Sequence, residues 1–374
     1  MTTLTGTTWD HPRGYAPLEA LVPDIEARFG LRIDWTRRSL REFGDTSVTA
    51  LAHRFDLLVI DHPHCGQAAR DGALLALDAR LSVQERADIT REPIGPSLDS
   101  YQLDGRLWAL PIDAAMQSAS MRKGLGHPFP ETWDALLKSD LRFAIPLCPT
   151  DVFCTFLTLC AQHGHPADTR GDFLRHPDLA DTLARLRRLY ARADPRSIDW
   201  NPIQLYEHMI RHADIDYCPL AFCYLHYADR LRFGPIPNRR HALLGGAGLA
   251  VSAHCRHPEP AIRAAAWLAS GACQSGPYLD YSGQPAHGSA WKSNRPFFRD
   301  LRTTLELAYL RPRCPGWNRF QEEAGHRLHA WLQSKRSEGS IRDDFWSLFA
   351  AHVTGYQVNR GHRPRLQLPR RWHP

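Results

Sequence analysis

The order of apolar and polar positions predicts an alternation of strands and helices. After the polar cluster "WDHPRG", the spacing predicts a helix that starts at Pro17 and puts Leu18, Leu21, Ile25 and Phe29 on one face. Gly30 supplies its stop. "LRIDW" alternates Leu31, Ile33 and Trp35, as a half-buried strand does. "FDLLVID" is a continuous apolar run, the pattern of a central strand in a parallel sheet covered on both faces. "YQLDGRLWALPID" reads as a strand that leaves the first lobe and stops at Pro111.

A second α/β segment follows. "PETWDALLKSD" reads as a helix with Pro130 near its start, "RFAIPL" as a buried strand, and "CPTDVFCTFLTLCAQHG" as a turn into a helix capped by Thr150 or Asp151. "HPDLADTLARLRRLYARA" and "NPIQLYEHMIRH" read as helices, the latter capped by Asn201 with Pro202 as its first residue. "ADIDYCPLAF" is a strand, "LLGGAGLAVSAH" a Gly-rich strand, and "PEPAIRAAAWLASGACQ" a helix. Beyond "YSGQPAHGSAW" the pattern is mainly helical.

At 374 residues the chain exceeds one ordinary core and suggests two lobes. Hydrophobic residues at 43% and charged residues at 23% fit a folded protein. The net charge of +6 sits almost wholly in the tail. Arg360, Arg363, Arg365, Arg370 and Arg371 account for all but one of those charges, and the body is nearly neutral. That argues against a nucleic-acid surface. The Pro/Arg-rich tail, residues 359–374, is expected to be disordered. No apolar run reaches membrane-spanning length, so membrane insertion is not expected. "MTTLTGTTWD" lacks the features of a signal peptide. As written, the expected place is the cytoplasm; an upstream signal would move it to the periplasm or cell surface. The nine cysteines form no CxxC pair and read as free thiols.

Five segments, taken in order, carry a resemblance: "GALLALD", "DGRLWALPID", "PETWDALL", "LLGGAGLAVSAH…PEPAIRAAAWLASGACQ" and "SGQPAHGSAW". Together they resemble the family 1 extracellular solute-binding proteins of ABC transporters, from about Leu4 to Leu348. The resemblance implies an α/β, two-lobed, type II periplasmic-binding-protein-like fold. Each lobe would be a mainly parallel sheet flanked by helices, with crossing hinge segments. One lobe would span residues 1–112 and 246–282, the other 113–245 and 283–358. It further implies a monomer that binds a small solute reversibly by domain closure, with no cofactor, and an ABC permease as partner.

Carried over by position, the cleft would draw on Trp9, Asp10, His11, Arg13, Asp61, His62 and His64 from the first lobe. Asp113 and Gln117 would come from the crossing segment. Thr150, Asp151, Tyr217 and Trp317 would come from the second lobe, with Gln284 and His287 from the late crossover. Each has a plainer role available: Asp10 and Asp61 as helix caps, Asp113 as a hinge cap, Trp317 as a core aromatic. Aromatic faces beside carboxylates suit a sugar or polyol, or a cation, while Arg13 could pair with a ligand carboxylate. His62, His64 and Cys65, with His11 opposite, hold metal-ligating chemistry, but the HxH spacing is weakly specific and no metal is expected. "GGAGLA" lacks the third glycine of a dinucleotide loop. GxSxG and HExxH are missing, which disfavours a hydrolase. The alternatives are a cytosolic sensor, or an enzyme that uses cleft Asp and His residues.

Overall fold

The computed structural model describes residues 2–354, so the basic tail lies outside the described residues. The chain opens with β1 (Thr2–Trp9), α1 (Pro12–Ala20), α2 (Val22–Phe29), β2 (Leu31–Arg38), α3 (Leu40–Asp45) and α4 (Val48–Ala52). β3 (Leu57–Ile60), α5 (Cys65–Arg70), α6 (Val83–Arg91) and a small hairpin, β4 (Gln102–Leu103) with β5 (Arg106–Leu107), follow. β6 (Leu110–Arg122) then leads to α7 (Trp133–Lys138), α8 (Pro149–Gln162), α9 (Leu179–Arg192) and α10 (Pro202–Arg211). β7 (Tyr217–Phe222), β8 (Leu231–Gly234) and β9 (Leu244–Val251) complete the strands. The remaining helices are α11 (Pro258–Ala269), α12 (Gly271–Ser275), α13 (Pro277–Asp280), α14 (Pro296–Glu306), α15 (Trp317–Leu332) and α16 (Glu338–Phe349).

Seven strands form one sheet in the order β2-β1-β3-β9-β6-β7, with β8 also pairing to β6. The two lobes are therefore joined by a common sheet rather than built on separate ones. Pairing is parallel between β2, β1 and β3, and antiparallel from β3 through β9 to β6, β7 and β8. The expectation of mainly parallel sheets gives way to a mixed one, because β9 returns from the second lobe against the direction of β3 and β6.

Apolar side chains bury into two clusters. One gathers Leu4, Leu58, Ile112, Leu249 and Ile262; the other gathers Met116, Phe153, Phe156, Leu220, Trp317 and Phe345. β6 contributes to the first cluster up to Ile112 and to the second from Ala114 onward. β9 does the same in reverse, with Leu244 in the second and Ala247 in the first. The crossing point is the pair Asp113 and Ala247, which face each other in the ladder.

Several local expectations are corrected. β6 does not stop at Pro111 but continues to Arg122 in the second lobe, 13 residues in all. A register shift between Pro111 and Asp113 absorbs the missing proline N–H. The first helix starts at Pro12, not Pro17, because His11 caps it through its ring nitrogen; Pro17 lies inside and Leu21 separates α1 from α2. Gly30 ends α2 with a left-handed φ of 61°. "RFAIPL" makes a single parallel bridge, Phe143 to Tyr217, and Pro146 has no N–H to extend it. Pro130 precedes the Thr132 cap of α7, and α8 is entered from Cys148 rather than from Thr150 or Asp151. Asn201 and Pro202 open α10 as expected, with a capping box to Gln204.

Gly246 has φ of 116°, open to glycine but strained for other residues, and an added Cβ would lie 2.3 Å from the Asp113 carbonyl oxygen. Gly246→Ala is expected to lower stability by roughly 1–3 kcal/mol, read as a lower urea midpoint. An unchanged midpoint would show that the crossing tolerates a side chain.

Candidate ligand cleft

Where the two lobes face each other, loops from both enclose a cavity of about 540 Å³, a size suited to a small molecule. Its first-lobe wall holds Trp9, Arg13, Phe43 and Asp61; its second-lobe wall holds Thr150, Asp151, Asp199, Phe222 and Tyr224. Asp113 and the backbone of Gly245–Ala247 line it at the crossing strands, and Arg311, Glu322 and His326 line it from the late helical segment.

Trp9 ends β1 and packs on Phe43 with ring centroids 5.1 Å apart. Gly14 lies directly under its ring, where a Cβ would come within 2.4 Å. The indole is thus fixed by α1 and α3 together. Phe222 and Tyr224 lie at the cleft end of β7 and just past it.

Two buried ion pairs cross this region. Arg13 grips both carboxylate oxygens of Asp113, donates to the Cys223 carbonyl at 2.8 Å, and lies 4.5 Å from the centre of the Tyr224 ring. Burial works against its charge, but Asp113 outweighs burial and raises the Arg13 pKa. Burial and Asp113 also push the Tyr224 phenol up to about 12, against the pull of Arg13. Arg311, itself buried, donates to Asp61 at 2.6 Å and to Gln321 at 3.2 Å. Burial would raise the Asp61 pKa, but Arg311 and His62 hold it well below the usual carboxylate range.

With Arg13 and Arg311 each matched by a carboxylate, Asp151 and Asp199 give the second-lobe wall an acidic excess. Burial raises the Asp151 pKa to about 6 against a hydrogen bond from Cys148 and the charge of Arg311. The cleft is equipped to accept hydrogen bonds from hydroxyls or ammonium groups and to cover apolar faces with aromatic rings.

Of the residues named from sequence, Trp9, Arg13, Asp61, Asp113, Thr150 and Asp151 line the cavity. The others do not. Asp10 is exposed and faces Arg37 at 3.8 Å. His11 packs against Tyr224, His226 and Tyr227 and meets the Tyr227 hydroxyl at 3.2 Å; burial, then Arg13, lowers its pKa to about 3. It bridges the two lobes and does not line the cavity. His62 is buried behind Asp61, with Nδ1 3.1 Å from that carboxylate, and His64 meets the Gly44 carbonyl at 3.1 Å. Burial lowers both pKa values to about 4. With Cys65 they do not converge on one point.

Gln117 accepts from Thr158 inside the second core. Tyr217 starts β7 at the end remote from the cleft, opposite Met121. Gln284 is a strut: it donates to the Ala114 carbonyl at 2.7 Å and accepts from the Leu225 N–H at 2.7 Å. His287 bonds Ser289 at 2.7 Å, and Trp317 is buried against Phe173 and Phe320. Sequence reasoning missed Phe43, Asp199, Phe222, Tyr224, Arg311, Glu322 and His326. The signal for Phe222 and Tyr224 was present: in "YCPLAFCY" the cleft lies past the strand's carboxyl end, not at its start.

Arg13→Ala is expected to cost about 3–5 kcal/mol, because it leaves Asp113 buried without a partner, whereas Arg13→Met with Asp113→Leu recovers most of the loss. Chemical denaturation of the three proteins decides this; equal losses in the single and double variants would contradict it. For Asp151, the native pKa of about 6 lies above the ordinary 3.8, so the native state holds more protons between pH 4 and pH 6. This group's contribution therefore makes stability fall as pH rises through that window. Asp151→Asn should flatten the fall relative to the unmodified protein; parallel pH profiles would refute the assignment.

No protein-family model and no curated protein matches the chain. Solved structures do match. MalE3 of T. maritima, solved with maltose, is 17% identical with a TM-score of 0.80, covering 94% of this chain and 100% of that one. An ABC transporter solute-binding protein of Thermotoga lettingae, bound with α-D-tagatose, is 14% identical with a TM-score of 0.81, covering 93% and 100%. A third, from Agrobacterium radiobacter in complex with ribitol, is 17% identical with a TM-score of 0.78, covering 94% and 98%. The chain has the two-lobed fold of these solute-binding proteins.

Proposed function

We propose that this protein binds a small hydroxyl-rich solute, a sugar or polyol, reversibly in the inter-lobe cleft. The observation that carries the reading is the cleft wall itself, where Trp9, Phe43, Phe222 and Tyr224 stand among the carboxylates Asp61, Asp151 and Asp199. Aromatic faces cover the apolar side of a sugar ring, and carboxylates accept from its hydroxyls. Structural neighbours solved with maltose, tagatose and ribitol support the same class.

In this reading the mechanism is closure without chemistry. The solute favours the closed form only as far as it contacts that form better than the open one. Trp9 and Asp61 would engage it from one lobe, and Asp151, Phe222 and Tyr224 from the other. The fitting partner is the permease of an ABC-type transporter, which would put the protein outside the cytoplasm. Among the described residues no helix is long and apolar enough to cross a membrane.

A thermal-shift panel of maltose, tagatose, ribitol, amino acids and putrescine tests this. A sugar or polyol at 100 times its Kd is expected to add about 2.7 kcal/mol, a rise of several degrees. Phe222→Ala should weaken that solute about tenfold by removing one aromatic face. Stabilisation by amino acids or putrescine alone, or a sugar response indifferent to Phe222→Ala, would defeat the reading.

A further inference from the structure

On the second lobe, away from the cleft, the turn after α8 meets the turn before α9. There His165, His176 and Asp178 bring one ligand atom each to within 4.8 Å of the others. The two imidazoles stack with centroids 4.2 Å apart and planes 17° apart, and His165 Nε2 lies 3.7 Å from Asp178 Oδ2. We propose that these three side chains bind a divalent transition-metal ion of the zinc class.

Three observations converge on this. His176 is only 7% exposed, and both of its ring nitrogens are buried without a hydrogen-bond partner. A buried polar group with nothing to bond is costly unless something else occupies the space beside it. Second, Asp178 stands at the N-cap position of α9, yet its side chain caps nothing and lies towards His165. An aspartate at this position ordinarily accepts from the first helical turn. Third, the backbone fixes the arrangement: the His165 N–H donates to the Cys160 carbonyl at 3.0 Å, and the Leu179 N–H to the His176 carbonyl at 3.2 Å.

Zinc holds imidazole nitrogens and carboxylate oxygens at about 2.0–2.2 Å, so in a tetrahedral site neighbouring ligand atoms lie about 3.3–3.6 Å apart. Rotation of the partly exposed His165 and Asp178 side chains, which turns His165 out of its stack on His176, is what brings the observed spacing to that value. Two imidazoles and one carboxylate suit zinc and its neighbours rather than magnesium or calcium. His165 and Asp178 are partly exposed, which leaves the fourth position to water. Stacking of histidines alone does not single the site out. His53 with His254 and His208 with His212 also stack, but among the described residues neither pair brings a third ligand atom within the same spacing. A bound ion would staple the end of α8 to the start of α9 and stabilise the folded lobe, since the three ligands meet only when it is folded.

The experiment uses the full-length protein, free of any histidine tag and stripped with chelator. Zinc(II) is added in a calorimeter, and cobalt(II) is followed by its visible d–d absorption. With 20 histidines in the chain, weak scattered binding is a background, so the criterion is one tight equivalent. The expected result is one such equivalent, a tetrahedral cobalt spectrum, and a zinc-dependent rise in Tm of a few degrees. His165→Gln and Asp178→Asn, both at partly exposed positions, should each weaken that equivalent at least tenfold and abolish the Tm rise. Their metal-free Tm should stay near that of the unmodified protein. Retention of the tight equivalent in either variant, or its lack in the unmodified protein, would overturn the assignment.

Discussion

The Arg13–Asp113 ion pair holds the architecture where its two cores meet. Asp113 sits where β6 passes from one core into the other, and Arg13 reaches it from the first turn of α1. The same guanidinium holds the Cys223 carbonyl, which belongs to the second lobe's β7 turn. One side chain thus joins a first-lobe helix, the crossing strand and a second-lobe loop. Removing two charges from water is expensive, and the bidentate geometry with a third bond is what offsets it. Nearby, Gln284 does a neutral version of this work between Ala114 and Leu225.

The electrostatic consequence reaches the cleft. Arg13 lines it but is engaged by Asp113, and Arg311 lines it but is engaged by Asp61. Each of the two cations is already paired with a carboxylate. The carboxylates of Asp151 and Asp199 and the rings of Trp9, Phe43, Phe222 and Tyr224 set the character of the cavity wall. An arginine near a cleft therefore says little about ligand charge until its own partner is known.

Legibility in the sequence followed the range of the forces involved. Helix and strand periodicity was readable from Leu31, Ile33 and Trp35 in β2, and from the Asn201 and Pro202 start of α10, because those signals are local. The two-lobed fold was readable from the order of short segments. Whether a polar residue at a strand end faces the cleft or the core is set by distant partners. His62 and Trp9 looked alike from sequence, yet Asp61 and Arg311 cover one, while Gly14 and Phe43 position the other at the cavity. Pro111 misled for a related reason: the register shift that lets β6 continue depends on β9, more than a hundred residues later.

That dependence also governs how the protein is made. β9 lies between β3 and β6, so the first lobe lacks its central strand until residue 251 has been synthesised. At roughly 5–20 residues per second, β3 waits on the order of 10–40 s for its neighbour. Through that interval the apolar edge "LLVI" stands unpaired on a nascent chain, the kind of edge that recruits other strands. The interleaved topology that joins the two cores is thus also an obligation on the cell to shield the half-made lobe.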